Sequence, residues 1–294
     1  MKIIQSFAQF EEGSPYLDSQ RKSEYVYLSF YVFLLSQATI RKHVGPITMF
    51  CNQQAYNSFF KYIPYNNIVI MENKNPFLMW AKYKIDVMKT IGDDFIHVDS
   101  DIMVDRNIFT PFINGECDVL IQDVVPFKKN LIKSFGFENK DFLAETLILT
   151  KPYDGRCFSC GTLGINKSSQ EYYFAGIDVL YDAMVKVGIE NVDMPTLLLE
   201  EQLLYYIAIE NNFNFKTIIP DELIAKYGIL EGGAEVGYRH FWALHKYRKI
   251  FIDYIRKRLF YEFPTHYSIL LRYEHEVLSK FEFFKHMGFP KVYS

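Results

Sequence analysis

The run Phe95-Ile96-His97-Val98-Asp99-Ser100-Asp101-Ile102 sets two carboxylates one residue apart where an apolar segment ends. If the segment is a buried strand, the chain turns at its end and both carboxylates can converge on one cation. Hard oxygen ligands of this kind suit Mg²⁺ or Mn²⁺, and such an ion would bridge a diphosphate. The triplet alone is weak: with 16 Asp in 294 residues, about one D-x-D arises by chance. Its position gives it weight, because an apolar strand is not where solvated aspartates gather. The competing reading is a pair of Asp residues capping a helix that begins near Asn107.

A second constellation is Tyr238-Arg239-His240-Phe241-Trp242-Ala243-Leu244-His245-Lys246. His240 could complete a carboxylate metal site, with Lys246 on a nearby turn to meet phosphate. Taken alone, His240 would equally be a half-buried ring among aromatics. Cys157 and Cys160 form one C-x-x-C pair without the second pair a structural zinc site needs, and Cys51 and Cys117 read as small core residues.

Elements able to position these groups alternate along the first half. Residues 2–7, 47–51, 67–71, 94–99 and 117–122 read as strands, and 23–40, 53–62 and 77–90 as helices. This alternation predicts an α/β fold with a mostly parallel central sheet flanked by helices. Ligands bind such sheets beyond the carboxyl ends of the strands, which is where Asp99 and Asp101 fall. Residues 168–187 and 196–210 read as further helices, capped by Ser168 or Ser169 and by Thr196. The apolar positions Tyr247, Ile250, Phe251, Tyr254, Ile255 and Leu259 predict one more helix. We expect a domain over 1–246 and a C-terminal helical extension over 247–294 packed on it.

Lys plus Arg number 32 against 35 Asp plus Glu, a net charge of −3, so no cationic excess is available to neutralise nucleic-acid phosphates. Hydrophobic residues make up 49%, which excludes a disordered chain. Four Cys are too few for a disulfide scaffold, and neither a signal peptide nor a membrane-spanning run is apparent. The expected address is cytoplasmic, peripheral at the inner membrane face if the basic helix over 246–260 meets anionic lipid; a packing helix with a solvated basic face is the competing reading.

The strand ending in Asp99-Ser100-Asp101, followed much later by His240-Phe241-Trp242-Ala243-Leu244-His245-Lys246, resembles the GT-A class of nucleotide-sugar glycosyltransferases, most closely the family-8-like retaining enzymes. Those carry a His-aromatic-x-Gly-x-x-Lys motif; here Ala243 stands at the Gly. The resemblance spans roughly residues 2–246. It implies that Asp99, Asp101 and His240 hold Mn²⁺ or Mg²⁺, and that Lys246 contacts the donor diphosphate. It also places Lys82, from Trp80-Ala81-Lys82-Tyr83-Lys84, and Ser100 near the donor. The segment Ser159-Cys160-Gly161-Thr162 resembles the family's Asn-Ala-Gly donor-sugar segment, with Ser159 replacing the Asn. Glu200-Glu201-Gln202 resembles the acidic-Gln pair beside the anomeric carbon, so Glu201 or Gln202 would face the donor sugar.

The implied function is metal-dependent transfer of a sugar, with retention, from a nucleotide-diphosphate donor, a UDP-sugar first, to a glycan or lipid-linked acceptor. A nucleotidyltransferase would carry a Gly-rich basic loop after the first strand, and Ala8-Gln9-Phe10-Glu11-Glu12-Gly13 lacks it. A non-catalytic sugar- or nucleotide-binding protein on a degenerate transferase scaffold is the reading that Ala243 and Ser159 keep open.

Overall fold

The computed structural model describes residues 1–9, 23–72, 80–126, 155–186, 198–241 and 248–286. Seven strands, β1 (Lys2–Phe7), β2 (Thr48–Cys51), β3 (Asn67–Ile70), β4 (Phe95–Val98), β6 (Val119–Pro126), β7 (Arg156–Ile165) and β8 (Phe215–Thr217), form a sheet of order β3-β2-β1-β4-β7-β6-β8. All neighbours pair in parallel except those of β7, which runs against both β4 and β6. The mostly parallel α/β architecture read from the alternating pattern is therefore present. β5 (Ile102–Val104) and β9 (Tyr238–His240) make a separate antiparallel ribbon.

Residues of β4 alternate between two cores, as a strand covered on both faces requires. Phe95 packs with α3 (Trp80–Lys89), α5 (Lys167–Lys186) and α6 (Leu203–Glu210), through Ile85, Tyr173, Ile177 and Leu203. Ile96 and Val98 face the opposite way, against Ile40, Ile102, Val104 and Phe109. Ile40 belongs to α1 (Ser29–His43), which is buried continuously from Ser29 to Ile40. A helix apolar all round needs cover on every side. The sheet gives it one wall, and α8 (Lys249–Glu262) and α9 (Pro264–Glu276) give another through Ile252, Ile255, Leu259 and Tyr273.

Much of the aromatic content is spent here. Phe30 stacks on Tyr273 at 3.6 Å between ring centroids, and Phe33 packs on Phe7, Phe59 and Phe60. Each such ring, fully buried, contributes roughly 1.5–3 kcal/mol by removal from water. The C-terminal helices are also fastened by polar groups: Tyr31 donates to Glu274 at 2.6 Å, and Arg256 pairs with the same carboxylate.

Some boundaries differ from the sequence reading. β6 starts at Val119 and runs on to Pro126, because Val124 and Val125 continue its ladder with β7. The cap of α5 is Asn166, not Ser168 or Ser169: its Oδ1 accepts from the Ser169 N–H at 3.0 Å. Thr196 lies outside the described residues, and a π-helical turn over Leu198–Gln202 leads into α6. Among the described residues no helix is long and apolar enough to cross a membrane.

Two of the basic groups of α8 turn inward: Arg256 meets Glu274, and Arg258 meets Asp105 and Glu262. Arg248, Lys249 (paired with Asp253), Lys257, Ile250, Phe260 and Tyr261 are exposed.

Candidate functional site

Asp99 follows β4, the strand between β1 and β7, at its carboxyl end. The chain turns at Ser100, closed by the Ile102 N–H bonding back to the Asp99 carbonyl at 3.2 Å, and leaves along β5. The segment after the two aspartates is thus a strand, and the helix-capping reading does not apply. α4 (Thr110–Ile113), the next helix, has no side-chain cap at all. In the ribbon Ile102 pairs with His240, and the Phe241 N–H bonds the Asp101 carbonyl at 3.0 Å. An antiparallel register puts the first residue of one strand beside the last of the other. Asp101 and His240, 139 positions apart (240 − 101), become neighbours for that reason, with Nε2 3.3 Å from Oδ1. One ligand atom each from Asp99, Asp101 and His240 lies within 4.8 Å of the others.

Asp99 is held from several sides. Its N–H bonds the Gly161 carbonyl at 2.8 Å, and Gln5 Nε2 bonds its carbonyl at 3.3 Å. Lys84 Nζ donates to its carboxylate at 2.9 Å and to the Cys160 carbonyl at 2.6 Å, and pairs with Glu200. Burial works against the Lys84 charge, but Asp99 and Glu200 outweigh it and raise its pKa above the usual lysine value.

Lys82, the cation expected here, has other partners among the described residues. It pairs with Asp86 one turn on and lies 5.1 Å over the Tyr181 ring. The signal that distinguishes the two lysines is helical spacing. Lys84, Val87, Met88 and Ile91 follow i, i+3, i+4, i+7 on the buried face, whereas Lys82 and Asp86 make a partly buried i, i+4 pair.

The π-helical turn carries Glu200 onto Lys84 and sets Glu201 beside Glu200 and Asp123, with Gln202 buried at its end. Such turns are frequent at functional sites because the extra residue re-aims side chains. Glu200, 2% exposed, is committed to Lys84, so Glu201, only partly buried, and Gln202, 1% exposed, are the remaining members of the expected pair. Burial, with the neighbouring Glu200, pushes the Glu201 carboxyl up to about 8. Burial also raises Asp99, Glu200 and Asp123, with Lys84 opposing at the first two.

Asp99 and Glu200 pair directly with the buried ammonium, and Asp101, Glu201 and Asp123 lie close to that pair, a cluster of acidic groups whose ionised forms a divalent cation would favour. Two carboxylates and an imidazole form a donor set that fits a divalent cation such as Mn²⁺ or Mg²⁺.

Gly161 and Ser159 lie on β7 beside this cluster, and Ser100, 7% exposed, forms its turn. Ser159 pairs in register with Asp123. A Cβ on Gly161 would lie 2.6 Å from His240 Cε1, so the absent side chain is the space the imidazole occupies. Lys246 and Ala243 lie outside the described residues. Sequence reasoning missed Lys84, Glu200, Gln122 and Asp123. The last two are adjacent polar residues inside an otherwise apolar strand, both fully buried, and that interruption was their visible signal. The cysteines are buried thiols, and burial pushes Cys157 up to about 12.

The sequence model of a family described as of unknown function, DUF6734, matches residues 1–273, and the chain belongs to that family. No curated protein matches the sequence. Among solved structures the chain is similar to the apo WbbM bifunctional glycosyltransferase, at 13% identity and TM-score 0.49, over 92% of this chain and 51% of that one. It is also similar to the apo form of the glycosyltransferase GlyE of Streptococcus pneumoniae TIGR4, at 11% identity and TM-score 0.46, over 92% and 63% of the two chains. A third is mouse xyloside xylosyltransferase 1, at 11% identity and TM-score 0.41, over 81% and 96%. The chain spans about half the length of the WbbM structure. At these identities and TM-scores the likenesses carry no argument about the reaction, which must rest on the site.

Proposed function

We propose that this member of the DUF6734 family is a glycosyltransferase, moving a sugar from a nucleotide-diphosphate donor to a hydroxyl of a glycan or lipid-linked acceptor. The observation that carries the reading is the convergence of Asp99, Asp101 and His240 at the carboxyl end of β4, with Lys84 buried behind them. These three side chains would hold Mn²⁺ or Mg²⁺, which when bound supplies Lewis-acid stabilisation to the diphosphate leaving group.

The chain's own residues do the rest. Lys84 keeps Asp99 oriented, and Gln5 with the Gly161 carbonyl fixes the backbone of the turn. Lys246 would add a cation to the departing diphosphate, and Ser100 would meet the donor from the turn. Ser159 and the Gly161 backbone would line the sugar, with Glu201 and Gln202 at the anomeric side. Burial and Glu200 push the Glu201 carboxyl up to about 8, and a cation bound beside it would favour its ionised form. The resemblance favours retention, with the acceptor proton passing to the leaving phosphate oxygen. A UDP-sugar is the first donor to test. Membrane contact, if it occurs, would use the exposed Lys257, Ile250, Phe260 and Tyr261.

The test is turnover. Wild type, Asp101→Ala and Glu201→Ala are incubated with UDP-, GDP- and CMP-sugars and Mn²⁺, and released nucleotide is measured with and without EDTA. The reading predicts release from one donor class, lost with EDTA and lowered roughly 100-fold or more in Asp101→Ala. Nucleotide binding without release from any donor would favour the degenerate binding scaffold.

A further inference from the structure

The ladder between β6 and β7 is interrupted beside the site. From Ile121↔Leu163 to Asp123↔Ser159 the pairing advances two residues on β6 but four on β7. Consecutive strand residues normally point to opposite faces, and an irregularity of this kind re-aims them. The side chains of Gln122 and Asp123 accordingly meet, Gln122 Nε2 donating to Asp123 Oδ2 at 3.3 Å. On the β7 side the same irregularity carries Gly161, whose missing side chain leaves room for the Gln122 amide and the His240 ring.

The amide orientation follows from its neighbours. A carboxylate accepts only, so the NH₂ of Gln122 must face Asp123 and its carbonyl must face the other way. There Oε1 accepts from the Tyr238 hydroxyl at 2.8 Å and lies 2.9 Å from His240 Nδ1. Thr162 donates to the Tyr238 oxygen at 3.3 Å, so the Tyr238 proton is directed at Gln122. A carbonyl oxygen accepts only, so Nδ1 must carry a proton, and Nε2, which faces the Asp101 carboxylate at 3.3 Å, is the nitrogen left to ligate a cation.

We propose that Gln122 is a positioning residue of the metal centre: pinned by Asp123 across the β6–β7 irregularity, it fixes the His240 tautomer that leaves Nε2 to bind the cation. The proposal rests on the metal-centre reading above and adds to it a group that touches neither cation nor donor. Hydrogen-bond partners of a metal-binding imidazole set its orientation and basicity, and their loss commonly costs 10–100-fold in metal affinity.

The test uses Mn²⁺ alone as the probe. Binding isotherms are measured for wild type, Asp99→Ala, Gln122→Met and the exchanged pair Gln122→Glu/Asp123→Asn. Imidazole ¹⁵N spectra are recorded on the metal-free wild-type and Gln122→Met proteins. Gln122→Met should weaken Mn²⁺ binding about tenfold or more and shift His240 toward the Nε2–H tautomer. The exchanged pair again offers a donor to one partner and an acceptor to His240, and should restore most of the affinity, which a general loss of packing would not allow. Unchanged affinity in Gln122→Met, while Asp99→Ala no longer binds, would overturn the role of Gln122 and leave the metal centre standing. A His240 ring without a proton on Nδ1 in metal-free wild type would also overturn it. Absence of Mn²⁺ binding by wild type would overturn the metal-centre reading, and the ring spectra would then decide the hydrogen-bond chain by itself.

Discussion

At Gly161 a single methyl group probes the site. The Cβ of an alanine would lie 2.6–2.7 Å from His240 ring atoms and 2.7 Å from Gln122 Oε1, too close for any of them to stay. Because that ring is tied to Gln122, relief must come by moving His240 off Asp101. Gly161→Ala should lower Mn²⁺ affinity roughly tenfold or more while costing about 1–3 kcal/mol of stability from overpacking. A calorimetric isotherm beside a urea melt separates the two.

Glu201 makes a prediction with a definite sign. Its carboxyl moves from an ordinary 4.5 to about 8 in the fold. Between those values the folded chain holds a proton that the unfolded chain has lost, so stability falls as pH rises through the window. The metal-free protein should lose stability from pH 5 to pH 8, and Glu201→Gln should remove about 1–3 kcal/mol of that loss, the figure being discounted for partial exposure. Equal pH slopes for both proteins in urea melts would contradict the assignment.

At the scale of elements, Lys84 joins α3 to the end of β4, to β7 and to the π-helical turn. Removing one partner of a buried ionic cluster leaves the others uncompensated, at about 3–5 kcal/mol. Lys84→Met should show that loss in denaturant melts, whereas Lys82→Met, whose ion pair is only partly buried, should cost under about 1 kcal/mol.

The contrast between Lys82 and Lys84 marks how legible the elements were. Strand β4 running into Asp99-Ser100-Asp101 is a local pattern, and sequence reasoning found both it and the alternating α/β order. The His240 position was legible only through the resemblance, since its approach to Asp101 depends on the three-residue β5–β9 ribbon. Neither ribbon strand is long enough to announce itself by periodicity. The β6–β7 irregularity is set by long-range pairing, so nothing local to Gln122 or Asp123 encodes it. Lys84 was missed for a different reason: residues were counted along the chain, and the helix face decides which lysine reaches the end of β4.

Over the whole molecule, the sheet, α1 and the C-terminal helices form a scaffold that gathers acidic groups at one end of β4. Asp99 and Glu200 pair there with the buried Lys84, and Asp101, Glu201 and Asp123 lie close by. The aromatic residues, by contrast, pack α1 against the C-terminal helices and need no ligand to explain them. The central claim is that this acidic cluster is a divalent-cation and diphosphate site. The most direct test is a thermal-shift screen of the purified protein with UDP, GDP and CDP, with and without Mn²⁺, beside Asp99→Ala/Asp101→Ala. A ligand bound at 100 times its Kd stabilises the fold by about 2.7 kcal/mol. The account predicts a rise in melting temperature for one nucleotide, dependent on Mn²⁺ and absent from the double variant. An equal shift in both proteins, or none with any nucleotide, would contradict it.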